Sequence, residues 1–516
     1  MWKLLFSWVL LAATATAAGS PSVFETPGAP APRNHIDELV FSHLKQLGIQ
    51  PAGLSSDAVF LRRVYLDTTG TLPTAGEASE FLADASADKR AVLIDRLLER
   101  PEFADYQAMR WSDLLRVKAE FPINLWPNAA QAYYHWLRNA IRENLPYDEF
   151  ARHLLTDSGS NFRQPPVNFH RAMQNRQPQA IAQAVALAFM GARADKWPKQ
   201  RLADMAQFFS RVQYKATGEW KEEIVQLAPA TTPLAATLPD GTAARIAPEA
   251  DPREAFAAWL IEPKNPWFAR AEANRVWAWL LGRGIVEEPD DIRDDNPPEN
   301  PELLAYLSQE LSGAKFDVRR LYRLILNSST YQLSPVPRDS NPDAAAHFAC
   351  YPLRRLDAEV LIDALNQITG TGENYSSAIP EPYTWMPDDQ RAIALPDGSI
   401  TSSFLELFGR PARDTGLEAE RNNRISDDQR LHMLNSSHVL NKIGQGPAMQ
   451  ALIRANARNP RELVNQLYLT ILSRYPSPEE LRTVTEHSRT ATAKGAAAAV
   501  DLAWALINST EFLYRH

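Results

Sequence analysis

Cysteine is nearly absent: Cys350 is the single thiol in 516 residues. An intramolecular disulfide needs two thiols, and so do a covalent c-type haem and an iron–sulfur cluster, so all three are excluded. A zinc site built on cysteines is excluded with them. What remains for Cys350 is a nucleophile's role or simple burial, and beside Ala349 and Tyr351 it reads as a small apolar side chain. Basic charge is scarce too. Lys and Arg number 54 against 62 Asp and Glu, for a net charge of -8, and no basic tract compensates locally. A nucleic-acid partner, whose phosphates must be neutralised, is therefore not expected.

Long apolar runs are lacking as well. The run Leu4–Ala13 is shorter than the ~20 residues that span a bilayer. Lys3 precedes it and small residues follow it at Ala15, Thr16, Ala17 and Ala18, the pattern of a signal peptide over residues 1–18. The chain therefore reads as exported, to the periplasm or beyond, with no transmembrane segment in the mature protein. The Ala-rich run from Ala496 to Leu513 contains Asp501, which argues against a span there.

What is plentiful is proline, at 38 residues. Residues 19–34 hold four prolines with Gly and Ser and read as a flexible leader. Beyond them proline punctuates helices. Asp251-Pro252, Asn300-Pro301, Asn459-Pro460 and Ser477-Pro478 each place a capping side chain before proline at the first helical position. Glu254, Glu462 and Glu480 stand where a capping box needs them, as Glu77 does behind Thr74. Apolar residues recur at helical spacing: Val92, Leu93, Leu97 and Leu98, then Trp136, Leu137 and Ile141, with Pro101 and Pro146 as stops. In the C-terminal half the stripes are Leu303, Leu307 and Leu311, then Ala358, Leu361, Leu365 and Ile368, then Leu463, Leu467 and Ile471. The fold class is mostly α. Two helical modules, 35–228 and 251–516, flank a Pro/Thr-rich linker at 229–250, where Leu238-Pro239-Asp240-Gly241-Thr242 predicts a small β-hairpin. The polar interval 157–178, with Asn161, Asn168, His170, Asn175 and Arg176, reads as a surface loop, with part of a site as the other reading.

Two stretches stand out for chemistry. The aromatic helix ending at Gly282 and Gly284 carries Arg275 and Trp277, and Arg283 follows. An acidic connection then holds Glu287, Glu288, Asp290, Asp291, Asp294, Asp295, Glu299 and Glu302 against Arg293 alone. Clustered carboxylate oxygens suit Ca²⁺, but the spacing is not that of an EF-hand loop, and a solvated turn is the competing expectation. The second stretch, Phe408 to Arg421, sets Arg410, Arg413, Asp414, Glu420 and Arg421 close together. Arginine forks grip carboxylates, phosphates or sulfates, and equally tie protein layers together. His432 and His438 are six residues apart, which on one helix puts them on different faces, so no metal site is expected there. No phosphate-cradling glycine loop, dinucleotide fingerprint or Gly-x-Ser-x-Gly elbow appears.

Several segments together resemble one family. They are Arg62-Arg63-Val64-Tyr65-Leu66-Asp67 with Gly70, Asn274-Arg275-Val276-Trp277-Ala278-Trp279-Leu280 with Gly282-Arg283-Gly284, Asp290-Asp291 with Asn296-Pro297-Pro298, Phe408-Gly409-Arg410-Pro411, and Leu434-Asn435. This is similar to planctomycete-type secreted proteins with two successive domains of unknown function, the first cytochrome-associated and the second a planctomycete secreted domain. The resemblance spans roughly residues 35 to 516. It implies export, a two-module helical build and, in many members, a redox association. It implies no reaction. This chain departs from it twice. Where many members carry Cys-x-x-Cys-His, Ala192-Arg193 leads straight to Asp195-Lys196-Trp197-Pro198. Where they carry Cys-x-Cys, this chain has Leu417 and Ala419.

Whether the chain is an enzyme stays open at this point. The first reading is a non-catalytic binding or scaffold protein of the cell envelope, partnered by exported proteins or polysaccharide through the arginine-rich turn and the aromatic helix. The second is a glycan-directed hydrolase drawing its acids from Asp290–Asp295 and Glu418 or Glu420. The third is a haem-free partner of a redox system. No cofactor is expected. A cleft where the two stretches meet over an aromatic wall favours the enzyme; charges spread on a convex face favour the scaffold.

Overall fold

A computed structural model describes residues 23–338, 341–490 and 495–516. The expected signal segment lies outside the described residues, as do the first four residues of the leader. From Val23 onward the leader is held rather than loose. Thr26 N–H donates to Leu54 O at 2.9 Å, and Ser56 Oγ donates to Val23 O at 2.7 Å.

The described residues form 22 α-helices and seven short strands, so the mostly-α expectation holds. The proline-led caps account for many of the helix starts. The Asp251 side chain accepts from Arg253 N–H, that of Asn300 from Leu303 N–H, and that of Asn459 from Glu462 N–H. Ser477 and Glu480 bond reciprocally at 2.7 and 3.1 Å, as do Thr74 and Glu77. Each such cap satisfies a backbone donor that would otherwise lack a partner and contributes about 1 kcal/mol. Pro101 and Pro146 follow the ends of the helices Lys89–Leu98 and Pro127–Arg142, as expected, and they also lead the next helices, Pro101–Leu114 and Tyr147–Thr156. Val92, expected inside, is 49% exposed, while Leu93, Leu97 and Leu98 are buried.

The predicted hairpin is present. Strands β4 (Leu234–Thr237) and β5 (Ala243–Ile246) pair antiparallel, with Leu234 opposite Ile246. A three-stranded antiparallel sheet was not expected: β1 (Gly159–Ser160), β2 (Val212–Ala216) and β3 (Glu223–Leu227), in the order β1-β3-β2. Against it lies the 157–178 interval, which is no surface loop. Asn161, Asn168 and His170 are fully buried. Asn168 Nδ2 donates to Asn161 O at 2.7 Å, and His170 shares a hydrogen bond with Leu155 O at 3.0 Å. Burial drives the His170 pKa down to about 3, so the ring is neutral.

Two apolar cores fill the molecule. The larger runs from Ile36 to Tyr351 and adds Leu469, so it draws on both sides of the 229–250 stretch. The smaller gathers Leu356 to Phe512 with Leu66, Leu72, Tyr106 and Met109. Three helices supply both cores, one of them Pro460–Leu472, with Leu469 in the larger and Leu467 in the smaller. Asp57–Thr68 gives Phe60, Leu61 and Val64 to one and Leu66 to the other; Pro101–Leu114 gives Phe103 and Trp111 to one and Tyr106 to the other. The remaining positions of these helices hold buried Arg62, Arg63, Asp67 and Arg110. A polar layer thus separates the cores. Strands β6 (Arg354–Arg355) and β7 (Tyr514–Arg515) pair antiparallel and feed three more arginines into it.

Candidate functional site: an arginine-lined cleft

Charges buried between two cores must be paired or neutralised. Most of this layer is paired. Asp67, fully buried, accepts from the Tyr331 and Tyr351 hydroxyls at 2.9 and 2.8 Å and lies 3.3 Å from both Arg354 and Arg515. Asp357 accepts from Arg515 at 2.6 Å, Tyr106 at 2.9 Å and Asn423 at 2.8 Å. Burial works to raise the Asp357 pKa, but Arg515, Arg421 and Arg110 outweigh it and hold the carboxylate well below its usual range. Arg421 bridges Glu359 at 2.7 Å and Asp113 at 2.6 Å.

The layer opens at one place into a cleft of about 160 Å³, lined by Arg110, Arg354, Arg355, Arg421, Arg515, Asp357, Glu418 and Trp279 among others. Five guanidinium groups face two carboxylates, and one of those two is only half charged. Burial, then the charge of Asp290, raises the Glu418 pKa to about 7, against the pull of Arg110, Arg275 and Arg421. Trp279 Nε1–H donates to Glu418 Oε1 at 3.0 Å, and Glu418 N–H donates to Asp290 Oδ2 at 2.7 Å.

The acidic connection and the arginine-rich turn therefore meet at Asp290 and Glu418. Asp290 is buried, 3.8 Å from Arg275, and burial raises its pKa. Arg275 is itself buried, 3.2 Å from Glu272, with its guanidinium over Trp111. Asp291 pairs with Lys196 and Arg293 at 3.3 Å. Asp294 and Asp295 are exposed and stand away from the cleft, Asp295 pairing with Arg293. Arg283 pairs with Glu287 at 3.1 Å. Arg410 lies 3.5 Å from Glu359, Arg413 bonds Asp113 at 2.9 Å, and Asp414 accepts from Lys118 at 2.6 Å. Glu420 accepts from the Asp414 and Thr415 N–H groups. Of these, Arg413 ties the turn to the Pro101–Leu114 helix through Asp113, and Asp414 ties it to Lys118 just beyond that helix. Of the residues singled out from the sequence, Glu418, Arg421 and Trp279 line the cleft.

The aromatic helix needs correcting as a contact surface. Phe268–Leu281 is buried along nearly its whole length, and Trp277 is fully enclosed, edge-on to Phe348 at 5.1 Å. Reasoning from sequence also missed Arg110, Arg354, Arg355, Asp357 and Arg515. They lie in three separate stretches, at 110, 354–357 and 515, and only the tertiary fold collects them. His432 and His438 were misplaced too. Ser436 ends one helix and caps the next, so the chain turns between them and brings Nε2 of one within 3.3 Å of Nδ1 of the other. Among the described residues no three His, Cys, Asp or Glu side chains converge as metal ligands.

Mostly helical, two-cored and carrying a charged cleft at the seam, the chain can be placed by comparison. Residues 35–214 match the family model described as PSCyt2, Protein of unknown function (DUF1549), and residues 252–488 match PSD1, Protein of unknown function (DUF1553). The chain belongs with proteins that carry these two domains in succession. No curated protein and no solved structure matches it. Both departures noted in the sequence fall beside the acidic connection. Leu417 and Ala419 flank Glu418, while in the 191–196 segment Gly191 O accepts from Ile292 N–H at 2.8 Å and Arg193 pairs with Glu288 at 3.2 Å.

Glu418 makes the cleft's pH response testable. Its folded pKa is raised above the unfolded value of 4.5, so its contribution to stability is complete below about pH 4.5 and is lost as pH rises through about 7. Glu418→Gln keeps an acceptor for Trp279 and removes the titration. The variant should match the wild type in guanidinium melts at pH 4 and exceed it at pH 8, by on the order of 3 kcal/mol. Equal stability of the two proteins at both pH values refutes an elevated pKa.

Proposed function

We propose that the protein is an exported, non-catalytic binding protein of the cell envelope that receives its partner at the arginine-lined cleft. One observation carries this reading. The cleft presents guanidinium groups with spare donors, while its ionised carboxylate, Asp357, is committed to Arg515, Tyr106 and Asn423 and has little basicity left for chemistry. An exported or envelope protein, or a polysaccharide bearing acidic groups, has the complementary charge. The experiment is retention of the partner from an envelope extract, run beside release assays on chromogenic glycosides. The expected result is retention without turnover, with retention lost in Arg110→Gln.

A second reading, a glycan-directed hydrolase, is favoured by one feature. Glu418 keeps a proton near neutral pH, while Asp357 in the same cleft is held ionised, the separation that acid and base partners need. Turnover that disappears in Glu418→Gln while the melting temperature holds would establish this reading in place of the first.

A further inference from the structure

Arg110 is the least satisfied charge in the cleft. It is 8% exposed, and its one hydrogen bond to protein runs from Nη2 to the Tyr106 hydroxyl at 2.7 Å. Its Nε–H is buried with no partner, and its closest ion-pair carboxylate, Asp357, is 3.9 Å away. The guanidinium lies over the rings of Tyr106 at 4.7 Å and Trp279 at 5.4 Å, which fix its plane. Arg354, Arg355 and Arg515 also line the cavity, but their guanidinium groups bond Leu280 O, Phe408 O and Asp357. Arg110 alone of the five is a buried cation with a single hydrogen bond to protein, which marks a place where something else accepts. A planar, preorganised guanidinium with free N–H groups is suited to an oxyanion.

Resting on the binding reading above, we infer that the cleft holds an oxyanion group of the ligand, with Arg110 as its principal contact and Glu418 beside it. Glu418 is surrounded by Asp290 on one side and by Arg110, Arg275 and Arg421 on the others, with Asp357 across the cleft. Ionised, it adds a negative charge beside the anion; protonated, it removes that charge and offers an O–H. Affinity therefore falls as pH rises through about 7.

Inorganic sulfate is the probe, because it stays a dianion from pH 6 to 8 and any pH effect then belongs to the protein. Titration calorimetry on the full chain, at constant ionic strength in chloride, should show saturable sulfate binding about tenfold tighter at pH 6 than at pH 8. Arg110→Gln should lose at least tenfold at pH 6, Arg110→Lys should keep part of the affinity, and Glu418→Gln should bind with no pH dependence. Competition by acetate assigns a carboxylate-type group, and indifference to acetate assigns a tetrahedral one; both support the site. Absence of saturable heat at either pH overturns it, as does unchanged affinity in an Arg110→Gln protein that melts like the wild type. If Arg110→Gln does not fold, a slope retained in Glu418→Gln overturns the proposed role of Glu418. Sulfate failure with envelope-partner retention intact refutes the oxyanion inference alone. Retention unaffected by Arg110→Gln refutes the binding reading at this cleft.

Discussion

Replacing Arg421 by methionine should lower the free energy of unfolding by roughly 3–5 kcal/mol, the cost of removing one partner from a buried charge network. Arg421 is the only cation within hydrogen-bond reach of both Asp113 and Glu359 among the described residues, at 2.6 and 2.7 Å, and it adds to the field that keeps Asp357 ionised. Methionine fills much of the space but leaves these carboxylates facing one another with fewer counter-charges. Adding Glu359→Gln to Arg421→Met should recover part of it, giving a non-additive double-mutant cycle. Guanidinium melts of the two single variants and the pair measure all three terms. Additive losses would mean that Arg421 acts through packing and not through charge.

Trp277→Ala is the second large effect, about 3–5 kcal/mol for an emptied aromatic site in a core. The side chain is fully enclosed, packs edge-on to Phe348, and its Nε1–H has no hydrogen-bond partner. Trp277→Phe should therefore cost less than half as much, because it keeps ring contact and removes an unsatisfied donor. Were Trp277 a contact residue, both variants would lose partner retention with unchanged melting. The structure calls for the opposite: melting falls, and partner binding per folded molecule is preserved.

The helical frame was legible because its signals are local. A capping side chain followed by proline is complete within four residues, and Asp251, Asn300, Asn459 and Ser477 all cap their helices, although Glu254 and Glu462 turn to Arg152 and Gln466 instead of closing the expected capping boxes. Pro101 and Pro146 show the limit of that logic. A proline at the boundary between two helices serves as a stop for the first and a start for the second; only the stop was read, and the helices beginning at Pro101 and Tyr147 show the start as well. Strands β2 and β3 escaped because five-residue segments flanked by polar residues give little period-two signal, and their pairing with Gly159–Ser160 is non-local. The cleft was half legible. Glu418 and Arg421 stood out in a dense turn, but Arg110 sits in a helix whose neighbours look like ordinary core, and Arg515 lies about 400 residues away in sequence. Charge density can be read from a sequence; the absence of a partner cannot.

The acidic connection has one more consequence. Between Glu288 and Ile292 it grips Gly191 and Arg193 on one flank and the Glu418 backbone on the other. Segments from opposite halves of the polypeptide are thereby yoked through five residues. The same five residues thus set the position of Gly191 and of the Glu418 backbone together.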